Sequence, residues 1–162
     1  MKRVMIIGCP GSGKTTFAEK LGAITGLPLY HLDAIWHRPD RTHLSREEFD
    51  QRLGEILATP EWILDGNYNR TLEMRLERCE EVFLFDLPTD LCIQGATERL
   101  GRARSDLPWI ETDLDPSFKQ TIEEFSSKSL PRIYGLLEAC GKRVTVFHSR
   151  EEADAYLLTV RS

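Results

Sequence analysis

Eight consecutive residues near the amino end, Gly8-Cys9-Pro10-Gly11-Ser12-Gly13-Lys14-Thr15, carry the most specific chemistry in the sequence. They satisfy the spacing G-x-x-x-x-G-K-[ST] at every fixed position. Glycines let a backbone turn tightly enough for successive N–H groups to converge, and converging N–H groups hold an anion. A lysine at the end of such a loop reaches phosphate oxygens as a point charge, and the hydroxyl after it is placed to ligate Mg²⁺. The apolar run Val4-Met5-Ile6-Ile7 reads as a strand leading into the loop, and a helix starting at Gly13-Lys14 adds the positive end of its dipole. The stretch is therefore expected to bind ATP with Mg²⁺ through Gly8, Pro10, Gly11, Ser12, Gly13, Lys14, Thr15 and Thr16. Lys14 falls on the β- and γ-phosphates and Thr15 on the metal. The base stays open, since no guanine-reading Asn-Lys-x-Asp run is present.

Phosphoryl chemistry also needs carboxylates and further cations. Asp33 and Asp65 each follow a short apolar segment, at the strand ends where ligand chemistry collects in an open parallel sheet. Asp65, between Trp62-Ile63-Leu64 and Gly66, is placed to hold Mg²⁺ or its water shell, or merely to cap the turn at Gly66. Asp33 could take the proton of an acceptor hydroxyl or bind the acceptor, or cap the turn that carries Trp36. Asn67, Tyr68 and Arg70 lie in the loop after Asp65 as candidate acceptor-binding residues, although a turn explains Asn67 nearly as well. Arg99, Arg102, Arg104 and Arg132 are candidates for stabilising the charge that spreads over oxygens during transfer. His31, His37 and His43 recur at six-residue intervals, which suits neither strand nor helix spacing for a metal, so they read as solvated or locally bonded.

The elements that must position these groups alternate along the chain. Strands are expected at Arg3–Ile7, Leu27–Leu32, Trp62–Asp65, Val82–Asp86 and Arg143–Phe147. Helices are expected from Lys14 to about Thr25, behind the capping box Ser45-Arg46-Glu47-Glu48, over Thr71–Arg78, from Pro88 to about Arg102 and over Glu151–Leu158. A further helical stripe through Phe118, Ile122 and Phe125 is interrupted by Pro131 and recovers through Leu137 before Gly141. Residues 102–116 are polar and punctuated by Pro108 and Pro116, which reads as a mobile loop, a lid over one end of the sheet. Strict alternation predicts an α/β fold, a parallel sheet covered by helices on both faces.

At 162 residues and 41% apolar, the chain suits one domain spanning residues 1–162. A formal net charge of −5 has the wrong sign for neutralising nucleic-acid phosphates, so no direct nucleic-acid contact is expected. No stretch approaches the ~20 apolar residues of a membrane span, and nothing at the start has a signal h-region. Cys9, Cys79, Cys92 and Cys140 lack CxxC spacing and suggest reduced thiols, so a soluble, cytoplasmic monomer or dimer is expected.

With these residues assembled, the sequence resembles the adenylate kinase-like P-loop proteins, most closely the group of DNA topology modulation proteins. The motifs are the loop from Gly8 to Thr16, Pro28-Leu29-Tyr30-His31-Leu32-Asp33 ahead of Trp36, Trp62-Ile63-Leu64-Asp65-Gly66-Asn67-Tyr68, and Val82-Phe83-Leu84-Phe85-Asp86-Leu87-Pro88. The resemblance implies a three-layer α/β/α sandwich with a five-stranded parallel sheet in order 2-3-1-4-5, a lid and a separate acceptor pocket. In small-molecule kinases such as shikimate kinase, the second strand ends with acids that engage the acceptor hydroxyl and the metal. Here His31 and Asp33 occupy that segment, so one of the two acids is kept. Asp65-Gly66 is followed by Asn67-Tyr68 rather than a Phe-Pro-Arg run, which weakens AMP as acceptor, and the lid has no CxxC pair to bind zinc. The expected activity is ATP-dependent phosphorylation of a small acceptor, a nucleotide or a hydroxylated metabolite. A nucleotide-dependent regulatory or binding protein without an acceptor is the alternative, and a simple NTPase a third. The kinase needs an open, polar cavity between Asp33, Asn67 and the lid; the regulator needs none, and there Trp36 and Tyr68 would fill it.

Overall fold

Apolar strands separated by amphipathic helices can pair in parallel only if each helix crosses back over the sheet. In the computed structural model, which describes residues 1–161, five strands do so. They are β1 (Arg3–Gly8), β2 (Leu29–His31), β3 (Trp62–Asp65), β4 (Glu81–Phe85) and β5 (Arg143–Phe147). All pairings are parallel, and the order is β2-β3-β1-β4-β5. The three central strands are buried along nearly their whole length, as continuous apolar runs must be. Ile6 pairs with Asp65 and Gly8 with Phe85, so the loop leaving β1 emerges between the ends of β3 and β4. The connections diverge to either side of β1 at that point, which opens a crevice at the carboxyl end of the sheet.

Eight helices pack on this frame: α1 (Lys14–Thr25), α2 (Leu32–Trp36), α3 (Arg46–Leu57), α4 (Leu72–Arg78), α5 (Thr89–Glu98), α6 (Pro116–Glu124), α7 (Leu130–Ala139) and α8 (Arg150–Leu157). The capping box forms as read: Ser45 Oγ accepts the Glu48 N–H at 3.1 Å ahead of α3. Phe17 fastens α1 to the sheet, its ring centroid lying 5.1, 5.4 and 5.3 Å from those of Phe83, Phe85 and Phe147. Such aromatic pairs contribute about 0.5–1.5 kcal/mol each beyond area burial. No helix among the described residues is long and apolar enough to cross a membrane.

Three boundaries differ from the sequence reading, each for a local reason. β2 is an edge strand whose three residues pair only with β3, and the chain turns into α2 at Leu32, so Asp33 lies in the first turn of a short helix. α5 ends at Glu98 instead of reaching Arg102, because the chain turns at Gly101, whose N–H donates to the Glu111 carbonyl at 2.6 Å and closes the base of the lid. Pro131 does not interrupt a helix. A π-helical turn over Phe125–Ser129 realigns the chain, and the proline enters α7 in its first turn, where its missing N–H is not needed.

Candidate active site

The loop after β1 is shaped by close backbone approaches. Gly11 has φ 82°, and a Cβ on it would collide with the Cys92 carbonyl; a Cβ on Gly95 would collide in turn with the Gly11 carbonyl. Only two glycines let α5 press this closely on the loop. Arg150, at the start of α8, donates from Nη2 to the Gly11 carbonyl at 2.9 Å and to the Leu91 carbonyl at 3.2 Å, locking the contact. The Asn67 side chain clamps Gly8 on both sides, accepting its N–H at 3.0 Å and donating to its carbonyl at 2.7 Å. Ser12 is fully buried, with no partner for its Oγ among the described residues. Beside this loop lies a cavity of about 430 Å³, lined by Lys14, Thr15 and Thr16 and faced by Arg99, Arg102, Arg104 and Arg150.

Behind Thr15 stands Asp65, 4% exposed. Its Oδ2 accepts the Thr15 hydroxyl at 3.0 Å and lies 2.8 Å from His31 Nδ1, while its buried Oδ1 has no partner. His31 is thus half-buried inside the site and paired with an acid 34 residues away, neither solvated nor bonded to a sequence neighbour as its spacing suggested. Burial disfavours its charged form, but the hydrogen bond and charge of Asp65 outweigh that and raise its pKa. Asp106 Oδ2 lies 3.5 Å from the same hydroxyl. No group of three His, Cys, Asp or Glu side chains forms a metal cage among the described residues. Thr15, Asp65 and Asp106 instead make a hydroxyl-and-carboxylate set with one orphaned oxygen. That is the partial oxygen shell Mg²⁺ takes from protein when phosphates and water supply the rest.

Asp106 reaches this place because the lid folds down. Arg104 holds it by two bonds, Nε to Oδ1 at 2.9 Å and Nη2 to Oδ2 at 2.7 Å, and donates from Nη1 to Glu111 at 2.5 Å. Burial would raise the Asp106 pKa, but the Arg104 guanidinium holds the carboxyl below its usual range. Ser105 hydrogen-bonds Glu19 of α1, tying the lid to the far bank. Arg99, one residue past α5, is half-buried with no partner for its Nε, and burial together with the like charge of Arg104 pushes its pKa down. Arg102 stays exposed on the rim of the larger cavity.

A second cavity of about 250 Å³ adjoins the first. Asp33, Asp65, Asn67 and Tyr68 line it on one side, and Phe118 and Thr121 of α6 on the other. Tyr68 donates its hydroxyl to Asp33 Oδ1 at 2.7 Å; burial and the facing carboxylate raise the phenol's pKa and keep it a donor. Its ring stacks on Phe49 at 5.1 Å, and Trp36 lies behind at 6.1 Å, so the aromatics form a wall and leave the cavity open and polar. Tyr68 adopts a left-handed backbone, φ 37° and ψ 63°, which a bulky residue keeps only when its surroundings enforce it. Arg75 enforces it. Fully buried, it donates to the Gly66 carbonyl at 2.9 Å, to the Asn67 carbonyl, and to Thr71 Oγ1 at 3.1 Å.

Lys14, Thr15, Asp33, Asp65, Asn67, Tyr68, Arg99 and Arg104 therefore meet around two joined cavities, with Arg102 at the edge. Two expected residues are elsewhere. Arg70 points out of the three-residue turn before α4 into a two-bond pair with Asp50 of α3, at 2.9 and 2.8 Å. Arg132 lies on an exposed face of α7, donating to the Asn69 carbonyl at 3.0 Å and to Glu73 at 3.4 Å. Neither lines either cavity, because a nearer acid or carbonyl claims each guanidinium. Asn67 lines the smaller cavity, but its amide is committed to Gly8. Arg75, Asp106 and Arg150 escaped the sequence reading. Only Asp106, two residues after Arg104 in a polar loop, carried a local hint.

No family model matches the chain. Among curated proteins it is similar to the adenylate kinases of Thermotoga petrophila and Thermotoga maritima, 31% identical over 88 residues that make up 53% of this chain and 39% of those proteins. The match spans about two fifths of the length of these curated relatives. Among solved structures, shikimate kinase from Acinetobacter baumannii in complex with shikimate superposes with a TM-score of 0.64 at 16% identity, over 98% of this chain and 92% of that one. A gluconokinase from Sinorhizobium meliloti superposes with a TM-score of 0.54 at 17% identity, over the same shares. The chain has an adenylate kinase-like P-loop fold with the sheet order that this likeness implies.

Proposed function

We propose that this protein transfers the γ-phosphoryl group of ATP to a hydroxyl of a small acceptor. The observation that carries the reading is that two cavities share one set of residues, Lys14, Thr15, Arg99, Arg104 and Asp106. A donor site and an acceptor site that meet on two free cations and a hydroxyl suit a group passing between them. A regulator that only senses nucleotide needs the first cavity and leaves the second without a role.

In this reading Gly11, Ser12 and Gly13 cradle the polyphosphate, and Thr15 and Asp65 would hold Mg²⁺, which when bound would neutralise phosphate charge. The acceptor oxygen forms a bond to the γ-phosphorus while the bond to the β–γ bridging oxygen breaks, and ADP leaves with that electron pair. The hydroxyl proton passes to Asp33, whose other oxygen is fixed by Tyr68. Lys14 and Arg99 face the oxygens on which charge accumulates. The adenylate kinase likeness supports ATP as donor, and the topology-modulation resemblance goes with the alternative, a nucleotide-dependent regulatory protein without a dedicated acceptor.

The test is ADP formation from Mg-ATP in the presence of nucleoside monophosphates and hydroxylated metabolites. At least one class is expected to stimulate turnover in the wild type and not in Lys14→Ala. ATP binding without stimulation by any acceptor would return the protein to the regulatory reading.

A further inference from the structure

Resting on the phosphoryl-transfer reading, we infer that the acceptor carries no anionic group: the site takes a compact hydroxyl compound that is neutral or amine-bearing, of the polyol or amino-alcohol class. The argument starts from where the charges lie. Every lysine and arginine that lines the smaller cavity, namely Lys14, Arg99 and Arg104, also lines the larger one, at the seam where the phosphoryl group would sit. The walls that belong to the smaller cavity alone include Asp33, Asp65, His31, Tyr68, Phe118 and Thr121: two carboxylates and no lysine or arginine.

The seam offers little spare positive charge to an anionic acceptor. Arg104 is spent on Asp106 and Glu111. His31 is spent on Asp65. Lys14 and Arg99 remain, and both are needed by the transferring group. The two arginines that could have served the far end, Arg70 and Arg132, are turned to Asp50 and Glu73. A carboxylate or phosphate on the acceptor would therefore face the Asp33 carboxylate with no cation of its own, and like charges brought together out of bulk water repel strongly. A hydroxyl or ammonium group meets the opposite situation, since the Asp33 carboxylate on the cavity wall can accept from it. Tyr68 and Phe118 add aromatic side chains to the cavity wall, on which the C–H side of a polyol can pack. The cavity, about 250 Å³ beside a neighbour of about 430 Å³, suits a smaller occupant than the nucleotide.

The experiment uses full-length protein, Mg-ATP and matched pairs of hydroxyl compounds that share a carbon skeleton: a sugar alcohol against its sugar acid, an amino sugar against its phosphate, a nucleoside against its monophosphate. ADP formation is read for each compound, and ATP binding is read separately by calorimetry. Stimulation confined to the neutral and amine-bearing members is expected. Phe118→Lys, which adds a cation to the acceptor wall, is expected to shift the neutral-to-anionic rate ratio about tenfold toward the anionic partner. Its thermal midpoint and ATP affinity check that it remains folded. Stimulation by the anionic member of each pair would overturn the inference and leave the kinase reading standing. Normal ATP binding with no stimulation by any member would overturn both.

Discussion

At the larger cavity, the loop from Gly8 to Thr15 has its shape fixed by glycine contacts, by Arg150 and by Asn67. On the acceptor side the cavity is walled by side chains that bond one another: Tyr68 to Asp33, His31 to Asp65, Arg104 to Asp106. Backbone groups read a polyphosphate whatever it is attached to, and they tolerate little change in the chain that shapes them. Side chains read one acceptor and can be exchanged singly. Of the two regions, the first should therefore be stringent for folding and permissive for ligand, and the second the reverse.

Four substitutions and one pH series test that contrast. Lys14→Ala removes a cation from the transferring phosphoryl and is expected to lower turnover about 10³–10⁵-fold in an ADP-release assay. Asp33→Asn keeps the shape of the acceptor wall and loses the proton acceptor; it is expected to lower turnover about 10²–10⁴-fold while calorimetric ATP affinity stays unchanged. A parallel loss of ATP affinity would erase the distinction between the two sides. Arg75→Met strands the Gly66 and Asn67 carbonyls, each at about 1–3 kcal/mol when left unpaired. Denaturant unfolding should show that loss, and turnover should fall with it, because Tyr68 and Asn67 lose their shared anchor.

The pH series concerns Asp106. Its pKa is lower in the folded chain than the ordinary 3.8, so its pairing stabilises the fold above that value and is lost as pH falls through the depressed folded pKa. The wild type should therefore melt above Asp106→Asn at neutral pH, and the gap should close below about pH 3.8. A gap that widened in acid would refute the Arg104 pairing. Arg70→Ala is the smallest change. An exposed ion pair contributes under about 1 kcal/mol, and turnover should not move. A large turnover defect there would mean that the acceptor wall reaches further than the second cavity.

The glycine loop, the parallel sheet and the place of Asp65 at a strand end were legible from residue order because each depends on local pattern, whereas Asp33, read at a strand end, lies in the first turn of α2. A glycine spacing, an apolar run and a strand end all announce themselves within a few positions. Arg75 shows the limit. It lies on α4 among ordinary helix residues, and nothing nearby distinguishes a guanidinium that will be fully buried under the Asp65–Tyr68 turn from one that faces water. Arg70 and Arg132 show the converse, since cations close in sequence to the site were claimed by Asp50 and Glu73 across helix pairs. His31 changed meaning once β2 paired with β3 and set it against Asp65.

By itself the sequence determined that a glycine loop of the P-loop pattern follows the first strand and that helices must cover a parallel sheet. Backbone turns and apolar periodicity are short-range properties, written in consecutive residues. Only the tertiary structure decided which charges are free, because an ion pair forms between whichever groups packing brings within a few ångströms. That choice, made by the 102–116 loop, α3 and α4, left the smaller cavity with carboxylates and without a lysine or arginine that it does not share with the larger one.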